Sequence, residues 1–323
     1  MSPAAHTTRV SHPLIVFVMG MGRSGTSALT RVLSLCGATL PTVLFGANRG
    51  NPAGHWEPRA ALDLNEAILY RHGSNWYDPT LRLQEEGTFD AKEQAAYIAE
   101  IGSFLSTLPT EPVVLIKEPR ITVLASLWFE AARRAGFDIA VTIAVRHPEE
   151  VVASLAARDR VSPQLARALW LKYNLLAERY TRNLPRVFVE YSNLLDDWRR
   201  EMTRVGAGLK IDLNNRDEAA IEQFLRLDLY RQRHRGPVTE PFGTDWISAA
   251  HAALSAAARD EPWDQSELDR VFRAYTASEH GFRAAFEDFH HHFNSKVVRF
   301  HSLVVRPSIT KLVRVLAATA HRA

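Results

Sequence analysis

The sequence predicts an α/β fold: a three-layer sandwich with a central, mostly parallel sheet, a phosphate-binding strand–loop–helix and a helical C-terminal region. Helical patterns separate the strands, so each pair of neighbouring strands needs a crossover and helices cover both faces of the sheet. A glycine-rich turn follows the first strand, and the pattern becomes mostly helical from about residue 213. Short runs of β-branched and apolar residues indicate buried strands at residues 14–19, 113–117, 139–146 and 186–191.

Helices are predicted between and after these strands, and glycine or proline residues mark the ends of two of them. The first stops before Gly37, a residue type favoured just after a helix. The second opens at Pro58 and ends at Gly73. The predicted helical ranges are 24–35, 58–73, 90–107, 121–135, 148–157, 163–181 and 192–208.

Composition excludes several classes of protein. With 323 residues, 46% hydrophobic and 23% charged, the chain is neither disordered nor collagen-like. No apolar run is long enough to span a bilayer, residues 1–13 lack a signal-peptide pattern, and the single Cys36 rules out an internal disulfide. We therefore expect a cytoplasmic protein, and the excess of arginine over lysine suggests a GC-rich bacterial source. A net charge of +3 suits anionic small molecules but is too small to favour nucleic acid.

The C-terminal end differs in charge from the rest of the chain. We expect one domain over residues 12–295 and a basic amphipathic tail over 296–323, because no Asp or Glu follows Asp288. The tail either contacts anionic lipid at the inner face of the membrane or forms a solvated helix that caps the domain. The run 290–292 of three histidines does not indicate a metal site, because consecutive helical side chains point in different directions.

The turn after the first strand has the features of a phosphate cradle. Backbone N–H groups converge between Gly20 and Gly25, the following helix adds partial positive charge, and glycine permits close approach of an anion. Thr26 stands where nucleotide triphosphatases require lysine, which argues against a simple kinase or ATPase. Arg23 supplies the cation from within the loop. The alternative is a strand-to-helix turn without a ligand.

Cations follow two of the other strands. Lys117 ends one strand and Arg146 ends the next, at the sheet edge where parallel sheets bind ligands. Neither position carries the Asp that would handle Mg²⁺, so we expect an anionic ligand bound without metal. Ser154, eight residues after Arg146, faces the same way and completes a second phosphate site. The alternatives are surface ion pairs, which for Arg146 would involve Glu149 or Glu150.

Together these motifs resemble the sulfotransferases of bacterial type that use 3′-phosphoadenosine 5′-phosphosulfate (PAPS). The loop Gly22-Arg23-Ser24-Gly25-Thr26-Ser27 resembles their 5′-phosphosulfate loop. The interval from Arg146 to Ser154 resembles their 3′-phosphate motif, and Lys117-Glu118-Pro119 resembles a Lys-Asp-Pro segment of several branches. The resemblance covers about residues 12–200.

The resemblance implies roles for residues that bind the donor. Gly22, Arg23, Ser24, Gly25, Thr26 and Ser27 would hold the 5′-phosphosulfate. Arg146 and Ser154 would hold the 3′-phosphate, and Tyr191 would contact adenine or else be a core tyrosine. Arg235, in the basic cluster that runs from Arg231 to Gly236, would cover the 3′-phosphate.

The resemblance also implies a base for the acceptor hydroxyl. Glu57, within Gly54-His55-Trp56-Glu57-Pro58, matches the family's catalytic Glu, with His55 as the alternative base. Lys117 and Arg23 would neutralise charge at the transferring group. Glu57 also suits a favourable charge at a helix N-terminus.

The expected reaction is metal-independent, in-line transfer of sulfuryl from PAPS to a hydroxyl of a glycan, a glycolipid or a small metabolite. The alternatives are a non-catalytic protein that binds phosphonucleotides or anionic glycans, and a divergent P-loop kinase.

Overall fold

The described residues fall into two compact units, and the boundary lies between Phe272 and Arg273, inside the last helix. The structure, a computed structural model, describes residues 12–48, 50–225, 233–234 and 236–300, with the backbone alone at 242, 286–287 and 289–300. The predicted tail boundary at residue 296 lies where no side chain is described, and it stays a prediction.

The described residues contain six strands and eleven α-helices. The strands are β1 Leu14–Met19, β2 Leu44–Phe45, β3 Glu57–Pro58, β4 Val113–Ile116, β5 Asp138–Val145 and β6 Arg186–Glu190. The helices are α1 Thr26–Leu35, α2 Arg59–Arg71, α3 Ala91–Leu105, α4 Ala125–Arg134, α5 Pro148–Asp159, α6 Pro163–Tyr180, α7 Tyr191–Asp196, α8 Trp198–Leu209, α9 Glu218–Phe224, α10 Trp246–Ala258 and α11 Gln265–Phe300. None of the described helices combines the length and the apolar composition needed to cross a bilayer.

The central sheet is parallel and has the strand order β4-β1-β5-β6. Successive side chains of β1 point to opposite faces. Val16 and Val18 pack with α1 and α8 on one face. Phe17 points the other way and contacts Trp128 and Phe129 of α4, with ring centroids 6.3 and 5.4 Å apart. Helices therefore cover both faces, and the predicted three-layer α/β fold is confirmed.

Two local features differ from the predicted elements. The predicted helix 192–208 is two helices, because the chain leaves helical geometry at Asp197, whose carboxylate accepts the Arg200 N–H of α8 at 3.0 Å. The antiparallel pair β2–β3 was not predicted, because two residues per strand give no periodic pattern. This pair matters for function, since Glu57 lies in β3.

All four predicted sheet strands are present. Their carboxyl ends form the edge of the sheet that carries the predicted site. The loop after β1, the residues after β4 and those after β5 lie at this edge because the strands are parallel and adjacent.

Candidate functional site

The loop between β1 and α1 follows a path that excludes side chains at two glycines. Gly25, the N-cap of α1, has φ +87°, and a Cβ there would overlap the ring of Tyr191. A Cβ on Gly22 would overlap the ring of Trp76. Arg23 lies between them with φ +73°, a left-handed conformation that costs an arginine about 1–2 kcal/mol. The backbone of the loop is thus held in a strained turn against two aromatic rings.

The residues of this loop suit an anion. The Ser24 hydroxyl is buried and has no hydrogen-bond partner among the described residues. The N-terminus of α1 directly follows, and no acidic residue lies in its first turn. Within this stretch of the described chain, an anion would meet an unsatisfied hydroxyl and a partial positive charge.

The two predicted phosphate-binding sites, the loop with Arg23 and the pair of Arg146 and Ser154, are in contact. Nε of Arg23 donates to Oγ of Ser154 at 3.0 Å, and a terminal nitrogen of Arg146 donates to the carbonyl oxygen of Arg23 at 2.9 Å. Burial, together with the nearby guanidinium groups of Arg158 and Arg146, lowers the pKa of Arg23 to about 10. Arg23 stays charged at neutral pH, and a bound anion would relieve the repulsion among the three cations.

Arg146 forms the ion pair with Glu150 that the sequence left open as an alternative, but the pair is buried. Nε of Arg146 lies 2.7 Å from Oε2 of Glu150, and both residues are less than a tenth exposed. Oε1 of Glu150 accepts the backbone N–H of His234 at 2.9 Å. The guanidinium carbon of Arg146 lies 4.7 Å from the centroid of the Tyr191 ring. Glu150 and Tyr191 thus fix the orientation of Arg146 beside the loop.

Lys117 and Glu57 form a second buried pair. Nζ of Lys117, which is 2% exposed, donates to Oε1 of Glu57 at 2.5 Å, to Oγ of Ser27 at 3.1 Å and to the carbonyl oxygen of His55 at 3.1 Å. One ammonium therefore joins the end of β4, the phosphate loop and the β3 segment. Glu57 lies just before α2, as the alternative role of a charge at the helix N-terminus requires, and its carboxylate also forms this buried pair.

His55 is the other candidate base. Its Nδ1 lies 3.9 Å from Oε1 of Glu57, and its buried Nε2 has no hydrogen-bond partner among the described residues. Burial lowers the pKa of His55 to about 4, against the raising effect of the Glu57 carboxylate. The imidazole is therefore neutral at pH 7.

Two cavities meet at the phosphate loop. A cavity of about 270 Å³ contains Arg146, Ser154 and Tyr191 in its wall. A cavity of about 920 Å³ contains Lys117 and Glu57. The residues that line both are Arg23, Thr26, Ser27, Asn51 and Arg158. The smaller cavity thus reaches one buried ion pair through Arg146, the larger cavity holds the Lys117–Glu57 pair, and the phosphate loop lines both cavities.

Two of these residues were missed in the sequence. Arg158 lies four residues after Ser154 on α5, and this helical spacing indicates a shared face, so the sequence did carry a signal for it. Asn51 lies in a loop without periodicity. Its Nδ2 donates to Gly54 O at 2.7 Å and to Ser27 Oγ at 3.2 Å, which ties the 51–54 turn to the phosphate loop.

Some predicted residues lie outside the part of the chain that is described. Arg231, Arg235 and residues 301–323 belong to this group, so their predicted roles stay predictions. In the described part, no group of three or more His, Cys, Asp and Glu side chains is placed to hold a metal ion.

No protein-family model matches the chain, and no curated protein does. The structure is similar to the sulfotransferase domain from the curacin biosynthetic pathway, with 14% identity, TM-score 0.41 and coverage of 78% of this chain and 99% of that domain. It is also similar to the sulfotransferase domain of the Synechococcus PCC 7002 olefin synthase, with 19% identity, TM-score 0.41 and coverage of 82% and 95%.

Proposed function

We propose that this chain is a sulfotransferase that moves the sulfuryl group of PAPS to a hydroxyl acceptor. The observation that carries the proposal is the junction of the two cavities at the phosphate loop. One cavity has cations suited to a nucleotide bisphosphate, and the other has a buried lysine–glutamate pair that touches the same loop through Ser27.

The smaller cavity suits the donor nucleotide. Arg146 and Ser154 would bind the 3′-phosphate, since a guanidinium and a hydroxyl are typical partners of a phosphate. The loop from Gly22 to Ser27, with its side-chain-free glycines and the unsatisfied Ser24 hydroxyl, would bind the 5′-phosphosulfate. Tyr191 would then pack beside the nucleotide. Arg158, which lines both cavities, would add hydrogen-bond donors near the transferring group.

The proposed chemistry is an in-line displacement at sulfur. The acceptor oxygen attacks the sulfur atom, the bond from sulfur to the bridging oxygen breaks, and the electron pair of that bond goes to the 5′-phosphate of the leaving adenosine 3′,5′-bisphosphate (PAP). The acceptor proton goes to the Glu57 carboxylate. Such positioned proton transfer typically contributes about 10²–10⁴ in rate.

Lys117 would couple the proton transfer to departure of the leaving group. When Glu57 gains the proton, its charge no longer neutralises the ammonium 2.5 Å away. The ammonium then interacts more strongly with the negative charge that develops on the leaving phosphate. His55 is a weaker candidate for the base. Among the described contacts, its imidazole ring makes no hydrogen bond to the side chains of the phosphate loop or to Lys117, and Lys117 contacts only its backbone carbonyl.

The test is calorimetric binding followed by transfer of labelled sulfur. PAP should bind, and removal of its 3′-phosphate to give adenosine 5′-monophosphate should weaken binding about tenfold or more. Label from ³⁵S-PAPS should appear in a product when hydroxyl-bearing glycans, lipids and metabolites are supplied in the presence of a metal chelator.

A matched pair of variants separates catalysis from binding. Glu57→Gln should bind PAP normally and lose transfer, whereas Glu130→Gln, in an exposed pair with Arg134, should retain both. Tight PAP binding with no transfer to any acceptor would favour the non-catalytic alternative. Magnesium-dependent binding of ATP without binding of PAP would favour the kinase.

A further inference from the structure

The charges that line the larger cavity are matched in pairs. Nε of Arg59 lies 3.0 Å from Oδ2 of Asp63, and Nη2 of Arg158 lies 2.6 Å from Oδ2 of Asp159. Lys117 and Glu57 form the buried pair described above. Each of these cations has a carboxylate of this chain as its partner, so each is already neutralised before an acceptor enters.

Arg120 is the most strongly neutralised cation in this wall. One terminal nitrogen lies 2.5 Å from Oε1 of the fully buried Glu118, and the other lies 2.7 Å from Oε1 of Glu66. Asn65 donates to the second oxygen of Glu118 at 2.6 Å and holds that carboxylate in place. Two carboxylates thus act on one guanidinium, which leaves no excess positive charge there for an anionic acceptor.

Arg23 differs from the other cations of the cavity wall. Its described hydrogen bond goes to the Ser154 hydroxyl, and it lies in the phosphate loop beside Arg146. Arg23 lines both cavities, and the 5′-phosphate of the bound nucleotide would neutralise it. Both carboxylates among the described lining residues, Glu57 and Glu66, are also paired, so a cationic acceptor would find no unmatched anion.

An ionised acceptor would lose hydration on entering this cavity. In a partly enclosed site that loss is offset only by an opposite charge placed to receive the ion. The described lining offers paired charges instead, and a new ion would compete with partners that are already in place. Discrimination against charged acceptors follows from this lack of compensation.

The remaining lining favours a ring with apolar faces and polar edges. Phe45, Trp76 and Tyr77 contribute aromatic surface, and Arg120 lies over the Trp76 ring at 5.4 Å from its centroid. The Asn51 and Asn75 side chains lie in the same wall. Aromatic surface with a small number of polar groups is the usual lining of a pocket for a small molecule. A volume of about 920 Å³ leaves room for more than one such ring.

We propose that the acceptor is an uncharged, polyhydroxylated ring compound of the saccharide class, and that the Glu118–Arg120–Glu66 cluster sets this preference. The inference rests on the proposed sulfuryl transfer, because it assigns the larger cavity to the acceptor. Arg120 acts here as a specificity-determining residue whose charge is cancelled by its two neighbours.

The first test measures binding to the protein saturated with PAP. Four 4-nitrophenyl glycosides share one ring: the β-D-glucoside, the β-D-xyloside that lacks C6, the glucuronide with a 6-carboxylate, and the 6-amino-6-deoxyglucoside with a 6-ammonium. Because binding is measured, the result does not depend on which hydroxyl reacts. The xyloside serves as the neutral reference without a 6-hydroxyl, and both charged glycosides should bind about tenfold more weakly than it does. A charged glycoside that binds as tightly as the xyloside, or no binding of any glycoside, overturns the proposal.

The second test changes the charge of the wall. Glu66→Gln removes one of the two carboxylates on Arg120 at an exposed position, so the fold should be retained. Affinity for the glucuronide should rise about threefold to tenfold, and affinity for the glucoside should change less than about twofold. Glu130→Gln releases Arg134 from a pair of the same type outside this cavity and should change neither affinity. An unchanged glucuronide affinity in Glu66→Gln contradicts the role of the cluster.

Failure of this inference and failure of the proposed function give different results. If PAP binds and ³⁵S is transferred but charged rings are preferred, the transferase reaction stands and the assignment of acceptor class is wrong. If PAP does not bind at all, the proposed function itself is wrong.

Discussion

Replacement of Glu57 by glutamine tests the buried pair at the centre of the proposed site. Glutamine keeps the size of the side chain and an oxygen that accepts from Lys117, but it removes the negative charge. The two side chains are 7% and 2% exposed, so the ammonium is left in a site that water hardly reaches. Breaking such a pair typically costs about 3–5 kcal/mol. The Ser27 hydroxyl and the His55 carbonyl still accept from Lys117, so we expect the lower end of that range.

Two measurements follow from this substitution. Unfolding in urea should show a free energy lower by about 3 kcal/mol with an unchanged denaturant slope. At a temperature where the variant is fully folded, turnover of ³⁵S-PAPS should fall by about 10²–10⁴ because the base for the acceptor proton is lost. Affinity for PAP, measured by calorimetry, should change by less than about threefold, since the residues that bind its two phosphates are intact.

A double variant checks that the loss comes from the pair. Lys117→Met alone leaves the carboxylate buried without its cation and should destabilise the protein by a similar amount. Glu57→Gln combined with Lys117→Met should be less destabilised than the sum of the single variants by about 2 kcal/mol, because neither charge is then left unpaired. Strictly additive losses, or turnover of Glu57→Gln within about threefold of the original protein, would refute this reasoning.

Three further predictions concern the phosphate-binding residues Arg146 and Gly25, and His55. Arg146→Lys leaves one nitrogen in place of the two that make the described contacts with Glu150 and Arg23. Affinity for PAP should therefore fall about tenfold to a hundredfold while affinity for adenosine 5′-monophosphate changes little, as calorimetry would show. Gly25→Ala places a Cβ on the Tyr191 ring at φ +87°; we expect lower stability and weaker PAP binding, and an unaltered melting temperature would contradict the strained geometry. The folded pKa of His55, about 4, lies below its ordinary value of 6.5. The unfolded chain therefore binds more protons between these values, and the stabilising effect of neutral His55, complete above pH 6.5, is lost as the pH falls toward 4. In urea titrations at several pH values, the free-energy difference from His55→Asn should shrink over that window.

The sequence predicted the sheet strands and the phosphate loop because both are local patterns. The four sheet strands were visible as apolar runs, and the loop was visible as glycines between a strand and a helix. The interval from Arg146 to Ser154 was informative for the same reason, since helical geometry places residues eight apart on one side. In the structure both residues contact Arg23.

Features that depend on distant contacts were not predicted. The sequence allowed an ion pair for Lys117 but did not name Glu57 as its partner, because 60 residues separate them and the short β2–β3 pair that presents Glu57 leaves no pattern. It allowed Glu150 as a partner of Arg146 but placed the pair on the surface. Burial of that pair follows from the packing of α5 against the neighbouring elements, which no periodicity reports.

By itself the sequence determined the parallel α/β sheet, the turn that suits a phosphate and the edge of the sheet where the ligand groups gather. These follow from backbone geometry and side-chain periodicity, which act over a few residues. The tertiary structure decided which charges neutralise one another: Lys117 with Glu57 at the loop, and Arg120 with Glu118 and Glu66 in the wall of the larger cavity. Coulomb energies depend on distance and burial in space, and separation along the chain does not set either quantity.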